Sequence, residues 1–269
     1  MHGNSGCKIG SHRNSHLLRS ERREKRLMQE PKTIWSLIFL LLTGCASSQG
    51  FDRTAMIEVL HLDATQGQND QPLVNRGPNL SLPFRLGVFF ADHHFPNRQS
   101  VRKVEWLSTD RDLVLRQLAP LQDEQILEDT FVLMDATLRR ENIPGIRQAG
   151  ARYGADLILI VDGAAAIDRY NNVYASLYPT LIGAYLAHGT ESHALVMATG
   201  SLWDVKSDWH SLIQTVERVS KSVGPAVFVD DTLVMRQAKE AAINALSERV
   251  VEQLRHLKEE RPHVKVPSR

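Results

Sequence analysis

Apolar positions recur along residues 84–260 in two rhythms. Short runs bounded by turn-forming residues predict strands: Arg85-Leu86-Gly87-Val88-Phe89-Phe90-Ala91, then Phe131-Val132-Leu133-Met134-Asp135-Ala136, then Ala155-Asp156-Leu157-Ile158-Leu159-Ile160-Val161-Asp162. Between the first two, Val104, Leu107, Leu113, Leu115 and Leu118 recur at an imperfect helical period, which predicts an interrupted helix over 101–118. Ile143-Pro144-Gly145 opens a helix running through Ala151, since proline is tolerated in a first turn where the missing N–H has no partner. Gly154 is placed to end it in the left-handed conformation. Residues 164–170, 194–204 and 209–219 suit antiparallel strands, with turns at Asn171-Asn172 and Lys206-Ser207-Asp208. Residues 173–186 are apolar without interruption, which fits either a strand or a buried helix. Asp230-Asp231 then caps a long amphipathic helix with Val234, Ala238, Ala242, Leu246, Val250 and Leu254 on one side, ending before Pro262. This order predicts an α/β fold of the α+β kind: a single domain with a mixed β-sheet flanked by helices and closed by the C-terminal amphipathic helix.

Upstream the pattern changes. Residues 34–42, Ile-Trp-Ser-Leu-Ile-Phe-Leu-Leu-Leu, form an apolar run of nine, whereas a membrane-spanning helix needs roughly 20. Arg22, Arg23, Lys25, Arg26 and Lys32 precede it, so the segment reads as the core of an export signal. Leu42-Thr43-Gly44-Cys45 follows, then Ala46-Ser47-Ser48. This stretch resembles the lipobox of bacterial lipoproteins. The resemblance implies diacylglyceryl transfer to the Cys45 sulfur, recognition of Leu42, Thr43 and Gly44 by the signal peptidase, cleavage before Cys45 and acylation of the new amino terminus. Several acyl chains on one residue suffice for stable anchoring, at about 0.8 kcal/mol per buried methylene. Ala46 is not the aspartate associated with inner-membrane retention, which favours the outer membrane, periplasmic face.

The expected organisation is therefore a signal region over 1–44, a lipidated amino terminus with a flexible tether over 45–83, the globular domain over 84–260 and a disordered tail over 261–269. Within the signal region, a conventional leader opens at Met28, which suits a translation start there with residues 1–27 as an upstream extension; a start at Met1 with an extended cytoplasmic n-region is the alternative. The tether reading rests on runs such as Gln66-Gly67-Gln68-Asn69-Asp70-Gln71-Pro72, with a helical turn over 54–62.

Charge sharpens this division. The 269 residues hold 32 basic and 31 acidic side chains, but residues 1–44 carry 8 and 3 of them, leaving 24 and 28 after Gly44. The exported part is thus mildly acidic and lacks the basic clusters that nucleic acid requires. Both cysteines, Cys7 and Cys45, precede the domain, so it contains no disulfide, thiolate metal site or cysteine nucleophile. No HExxH, GxSxG, P-loop or GxGxxG pattern occurs after Cys45.

Among side chains able to do chemistry, His93 and His94 beside Asp92 are the candidates for a metal or acid–base site. Adjacent residues on extended backbone point to opposite faces, so a solvated turn is the expected role. His188 and His193 flank Glu191, and a hairpin could join them; loop polarity is the simpler reading. Asp162, Asp168 and Asp204 fall near expected strand ends, where turn formation accounts for them. Tyr174, Tyr178 and Tyr185 suit core packing, with an exposed protein-binding face as the alternative. No cofactor is implied.

Three further stretches carry a family resemblance: Arg85-Leu86-Gly87-Val88, Gly154-Ala155-Asp156 with its strand, and Ser176-Leu177-Tyr178-Pro179-Thr180-Leu181-Ile182-Gly183-Ala184-Tyr185. Together with 194–204 and the closing helix, they resemble the rhombotarget lipoproteins, small bacterial lipoproteins found beside rhomboid-type proteases. Some proteins of that sorting system carry a glycine-rich, hydrophobic, basic tail, which His263-Val264-Lys265-Val266-Pro267-Ser268-Arg269 does not match. The Gly-Ala-Asp-strand passage is also similar at fold level to the amino-terminal domain of TolB and to curli-secretion lipoproteins. The lipobox, the missing catalytic patterns and this fold-level likeness together favour a membrane-anchored lipoprotein of the cell envelope, a non-enzymatic assembly, trafficking or secretion accessory with an envelope protein partner. The alternative is a periplasmic hydrolase or metal-binding protein using Asp92, His93 and His94. Cys45→Ala should abolish fatty-acid labelling in growing cells, and labelling that persists would overturn the lipobox reading.

Overall fold

The structure is a computed structural model that describes residues 47–64, 78, 80–91, 101–134, 142–207 and 209–259. Cys45 and its lipobox neighbours Leu42, Thr43 and Gly44, the Asp92-His93-His94 turn, Asp135 and Ala136, and the carboxyl-terminal tail lie outside the described residues. Within the unit that begins at Ser47, a mixed sheet is assembled around two long strands.

Those strands are β4 (Leu157–Asn171) and β5 (Thr190–Asp204). They pair antiparallel over their whole length, from Leu157 opposite Asp204 to Asn171 opposite Thr190. On one side of β4, β1 (Phe84–Phe90) pairs parallel along residues 157–161, and β2 (Arg102–Lys103) pairs antiparallel at Ala164 and Ala165. β3 (Leu127–Leu133) pairs parallel with β1, and β6 (His210–Gly224) pairs antiparallel with β5, giving the order β3-β1-β4-β5-β6. The mixed sheet, the flanking helices and the C-terminal helix match the expected fold class.

Strand alternation sorts the core into two layers. Leu157, Leu159, Val161 and Ala165 of β4, with Val196, Ala198 and Leu202 of β5, face α6 (Asp231–Glu259) and α2 (Ser108–Leu118). The short α3 (Pro120–Asp123) extends this layer through Leu121. On the opposite face, Ile158, Ile160 and Trp203 meet α4 (Ile143–Arg152) through Ile146. Further along, Ala164, Ala166, Leu195 and Met197 meet α1 (Arg53–Ala64) through Met56, Val59 and Leu60.

Several expectations shift by recognisable causes. The helical turn expected over 54–62 is a helix of 12 residues, packed on the sheet where a flexible tether was expected, because Ala55, Met56, Val59 and Leu60 share one helical side. The strands expected over 155–162 and 164–170 are one, since Gly163 is accommodated within the β4–β5 ladder opposite Ala198. β3 begins at Leu127, where pairing with Phe84 extends it before the apolar run. The interrupted helix of 101–118 resolves into β2, a loop and α2. Gly154 does end α4, at a φ of 71°.

A charge pair holds α6 to α2. Lys239 Nζ meets Asp110 Oδ2 at 2.5 Å with both side chains about nine-tenths buried, and it also donates to the Glu105 carbonyl at 2.9 Å. The same carboxylate oxygen accepts the Leu107 N–H at 2.8 Å at the start of α2. Truncating one member leaves the other charge buried and uncompensated. Lys239→Ala should therefore cost about 3–5 kcal/mol in urea unfolding. Adding Asp110→Asn should recover much of the loss, because the amide oxygen keeps an acceptor for Leu107.

Candidate functional site at one pole of the sheet

Every connection at the Asn171 end of β4 converges on one pole. Residues between β4 and β5 form a 3-10 turn (Val173–Leu177) and α5 (Leu181–Leu186), so the stretch that fitted either a strand or a buried helix is two short helical pieces. Their polar contacts are local and built in. Asn172 Oδ1 accepts the Tyr174 N–H, and Thr180 Oγ1 caps α5 by accepting from Gly183 N at 2.9 Å. A Cβ on Gly183 would lie 1.9 Å from the Leu177 carbonyl oxygen, so only glycine lets the two pieces approach this closely.

Core packing does not describe the tyrosines here. Tyr174 and Tyr185 are 60% and 55% exposed, and only Tyr178 turns inward, its hydroxyl 2.8 Å from Thr190 Oγ1. The reason is positional: the excursion projects past the last sheet pair, Asn171 with Thr190, where among the described residues no second layer covers it. Tyr185 instead meets Phe228 edge-on, with ring centroids 6.3 Å apart, which joins the excursion to the β6–α6 loop. Arg169 secures that loop from below, donating to the carbonyls of Ala226 and Val229 and pairing with Asp231 at 3.1 Å.

The sheet face that carries α1 ends in a polar cluster at this pole. Tyr170 lies opposite Glu191, and His193 opposite Lys221, so strand pairing brings four polar side chains together. Tyr170 donates to Glu191 Oε2 at 2.8 Å, Asn172 Nδ2 donates to Oε1 at 3.0 Å, and Lys221 Nζ lies 3.0 Å from Oε2. His193 Nε2 stands 3.5 Å from the same oxygen. Hydrogen bonds from Asn172, Lys221 and Tyr170, opposed by burial, hold the Glu191 carboxyl down at about 2. The bond to Glu191 and burial push the Tyr170 phenol up. A carboxylate this well supplied with donors is a poor proton acceptor, and the cluster braces the strand ends.

Thus Glu191 and His193 do come together, whereas His188 contributes its main-chain carbonyl to Asn172 and leaves its side chain exposed. Tyr170, Asn172 and Lys221 carried no signal of their own, since only strand pairing relates residues 170, 191 and 221. Asp168 has a different role: its Oδ2 accepts from Ser48 Oγ and, at 3.1 Å, from Gly50 N, which ties the amino-terminal segment to the pole. Asp204 accepts from Lys206 N and Ser207 N and so forms the expected turn. Asp162, expected near a strand end, is buried mid-strand and bonds Gly163 N. Among the described residues, no group of three or more His, Cys, Asp or Glu side chains could hold a metal ion.

No family model and no curated protein matches this chain. Among solved structures, it is similar to rare lipoprotein B from Shewanella oneidensis, at 11% identity over 65% of this chain and 96% of that one, with a TM-score of 0.32. It is also similar to protein XCC0632 from Xanthomonas campestris, at 14% identity over 70% and 95%, with a TM-score of 0.28. A third is lipoprotein GNA1162 from Neisseria meningitidis, at 13% identity over 65% and 99%, with a TM-score of 0.24. Likenesses at this level say nothing of activity.

Acid should loosen the pole. The folded Glu191 carboxyl lies below its ordinary value of 4.5, so its contribution is complete above that value and is lost as pH falls toward about 2. Glu191→Gln should flatten this dependence between pH 4.5 and 2, measured by hydrogen exchange at residues 170–172 and 190–193. An unchanged profile would remove Glu191 as the brace.

Proposed function

We propose that the protein is a lipid-anchored lipoprotein of the outer membrane, held on its periplasmic face through Cys45, and that it serves as a non-enzymatic accessory in envelope assembly, trafficking or secretion. The resemblance to rhombotarget lipoproteins belongs to the same reading. Among the described residues no helix is long and apolar enough to cross a membrane, and attachment through Cys45 requires none.

The observation that carries a protein-contact role is β6. This strand of 15 residues ends the sheet, and α1 covers β4 and β5 on its face but leaves Leu212, Val219 and Val223 of β6 exposed. A terminal strand with apolar side chains on an uncovered face suits a partner that adds a strand and packs over that face. Glu217, paired with Arg53 of α1, and the register shift opposite Ala198 and Gly200 interrupt the surface, which selects against indiscriminate pairing. The polar cluster at the pole supports the non-enzymatic side of the reading, because its donors and acceptors are engaged with one another.

A photoreactive residue at Leu212 or Val219 should crosslink a discrete envelope protein in intact cells. The same residue at Arg249 on α6 should not. Absence of an adduct at both β6 positions under several growth conditions would overturn the accessory role.

A further inference from the structure

The pole that carries the excursion also receives the amino-terminal segment. Ser48 and Gly50 are bonded to Asp168, which lies three residues before the end of β4. Cys45 precedes Ser48 by three residues, and an extended chain covers at most about 3.6 Å per residue, so the thiol-bearing residue lies within roughly 11 Å of this attachment. Whatever surface holds Cys45 must therefore pass close to the pole.

The surface presented there is unusual for one facing water. Residues 173–187 and 224–229 contain no Asp, Glu, Lys, Arg or His. Ile182 is 73% exposed, and Leu186 and Phe228 are each 69% exposed. Tyr174 and Tyr185 stand among them, the residue type that settles where one end is apolar and the other wet. The apolar side chains are presented by a braced structure, through Asn172, Thr180 and the Tyr185–Phe228 contact, so their exposure is a property of the fold.

We infer that the uncharged excursion and the β6–α6 loop beside it form a second membrane contact, seated in the interfacial layer of the bilayer that holds the Cys45 acyl chains. The inference rests on the lipid-anchor reading above. Chain length decides the occupant: a protein docked on the pole would have to enter the narrow gap that three residues leave beside the membrane. Charge agrees, because no ionised side chain of the excursion would have to be desolvated. Two attachments then fix orientation as well as location, with the long axis of β4 and β5 directed away from the bilayer and the β6 face left open along its length.

The test uses the processed lipoprotein, whose Cys45 sulfur is alkylated, so that a single introduced cysteine takes a thiol-reactive, polarity-sensitive dye. Ile182→Cys and Leu186→Cys report on the pole, and Lys206→Cys on the turn at the far end of β5 serves as the aqueous control. Each is reconstituted in phosphatidylethanolamine–phosphatidylglycerol vesicles containing lipids brominated at defined acyl positions. The 182 and 186 probes should shift to the blue and be quenched by shallow bromines, at a depth of roughly 5–10 Å, while the 206 probe remains aqueous. Probes at 182 and 186 as aqueous as the one at 206, in protein whose mass shows the acyl chains, would overturn the membrane contact and leave the anchor standing. A blue shift without bromine quenching would also overturn it, in favour of a second copy covering the pole. A mass without acyl chains would overturn the anchor itself, and the inference with it.

Discussion

The antiparallel ladder between β4 and β5 sets the position of everything else. Fifteen residues pair without a break from Leu157–Asp204 to Asn171–Thr190, so the two strands act as one ribbon with a defined beginning, middle and end. At its beginning β1 pairs alongside β4, and β3 reaches the sheet only through β1. Alternation along the ribbon assigns α6 and α2 to one face and α4 and α1 to the other. A one-residue slip of β4 would exchange its two faces, turning Leu157 and Leu159 toward α4 and Asp168 and Tyr170 toward the α6 side, so that neither layer would keep its packing.

The two ends of the ribbon are built differently. The Leu157 end sits within parallel pairing and helices on both faces, and it is the deepest part of the core. The Asn171 end extends beyond these layers, and its order comes from hydrogen bonds and ion pairs among Tyr170, Glu191, Asn172 and Lys221 on one face and Arg169, Ser192 and Asp231 on the other. Polar bracing of this kind keeps a strand end rigid without demanding a hydrophobic partner. It allows an apolar excursion to be displayed instead of folded away, and it places that display beside the amino-terminal segment that Asp168 holds.

In the proposed reading, anchoring and recognition are separated along one axis. The pole gathers the amino-terminal segment and the uncharged loops, while β6 runs the length of the ribbon with one face uncovered. A protein held at one end of a long sheet can present the remainder of that sheet at a reproducible height above a membrane. Linkage through a flexible chain alone would give no such orientation.

Much of the domain was legible from local pattern, for definite reasons. The β1 run, the Gly154 helix stop, the Asp204 turn and the long helix after Asp231 each follow from burial period or from the conformational preference of single residues, which act over a few positions. What sequence pattern left open depended on partners far along the chain. Residues 53–64 became a packed helix because the sheet offered Ala164, Ala166, Leu195 and Met197 as a surface, and Tyr174, Ile182, Tyr185 and Leu186 stayed exposed because the sheet ends before them. Glu191 acquired its role from residues 19 positions before it and 30 after it, brought together by strand register. Local sequence thus determined which segments could be strand or helix and where Cys45 stands; register and layer coverage, which exist only in the folded chain, decided which apolar residues are core and which are surface.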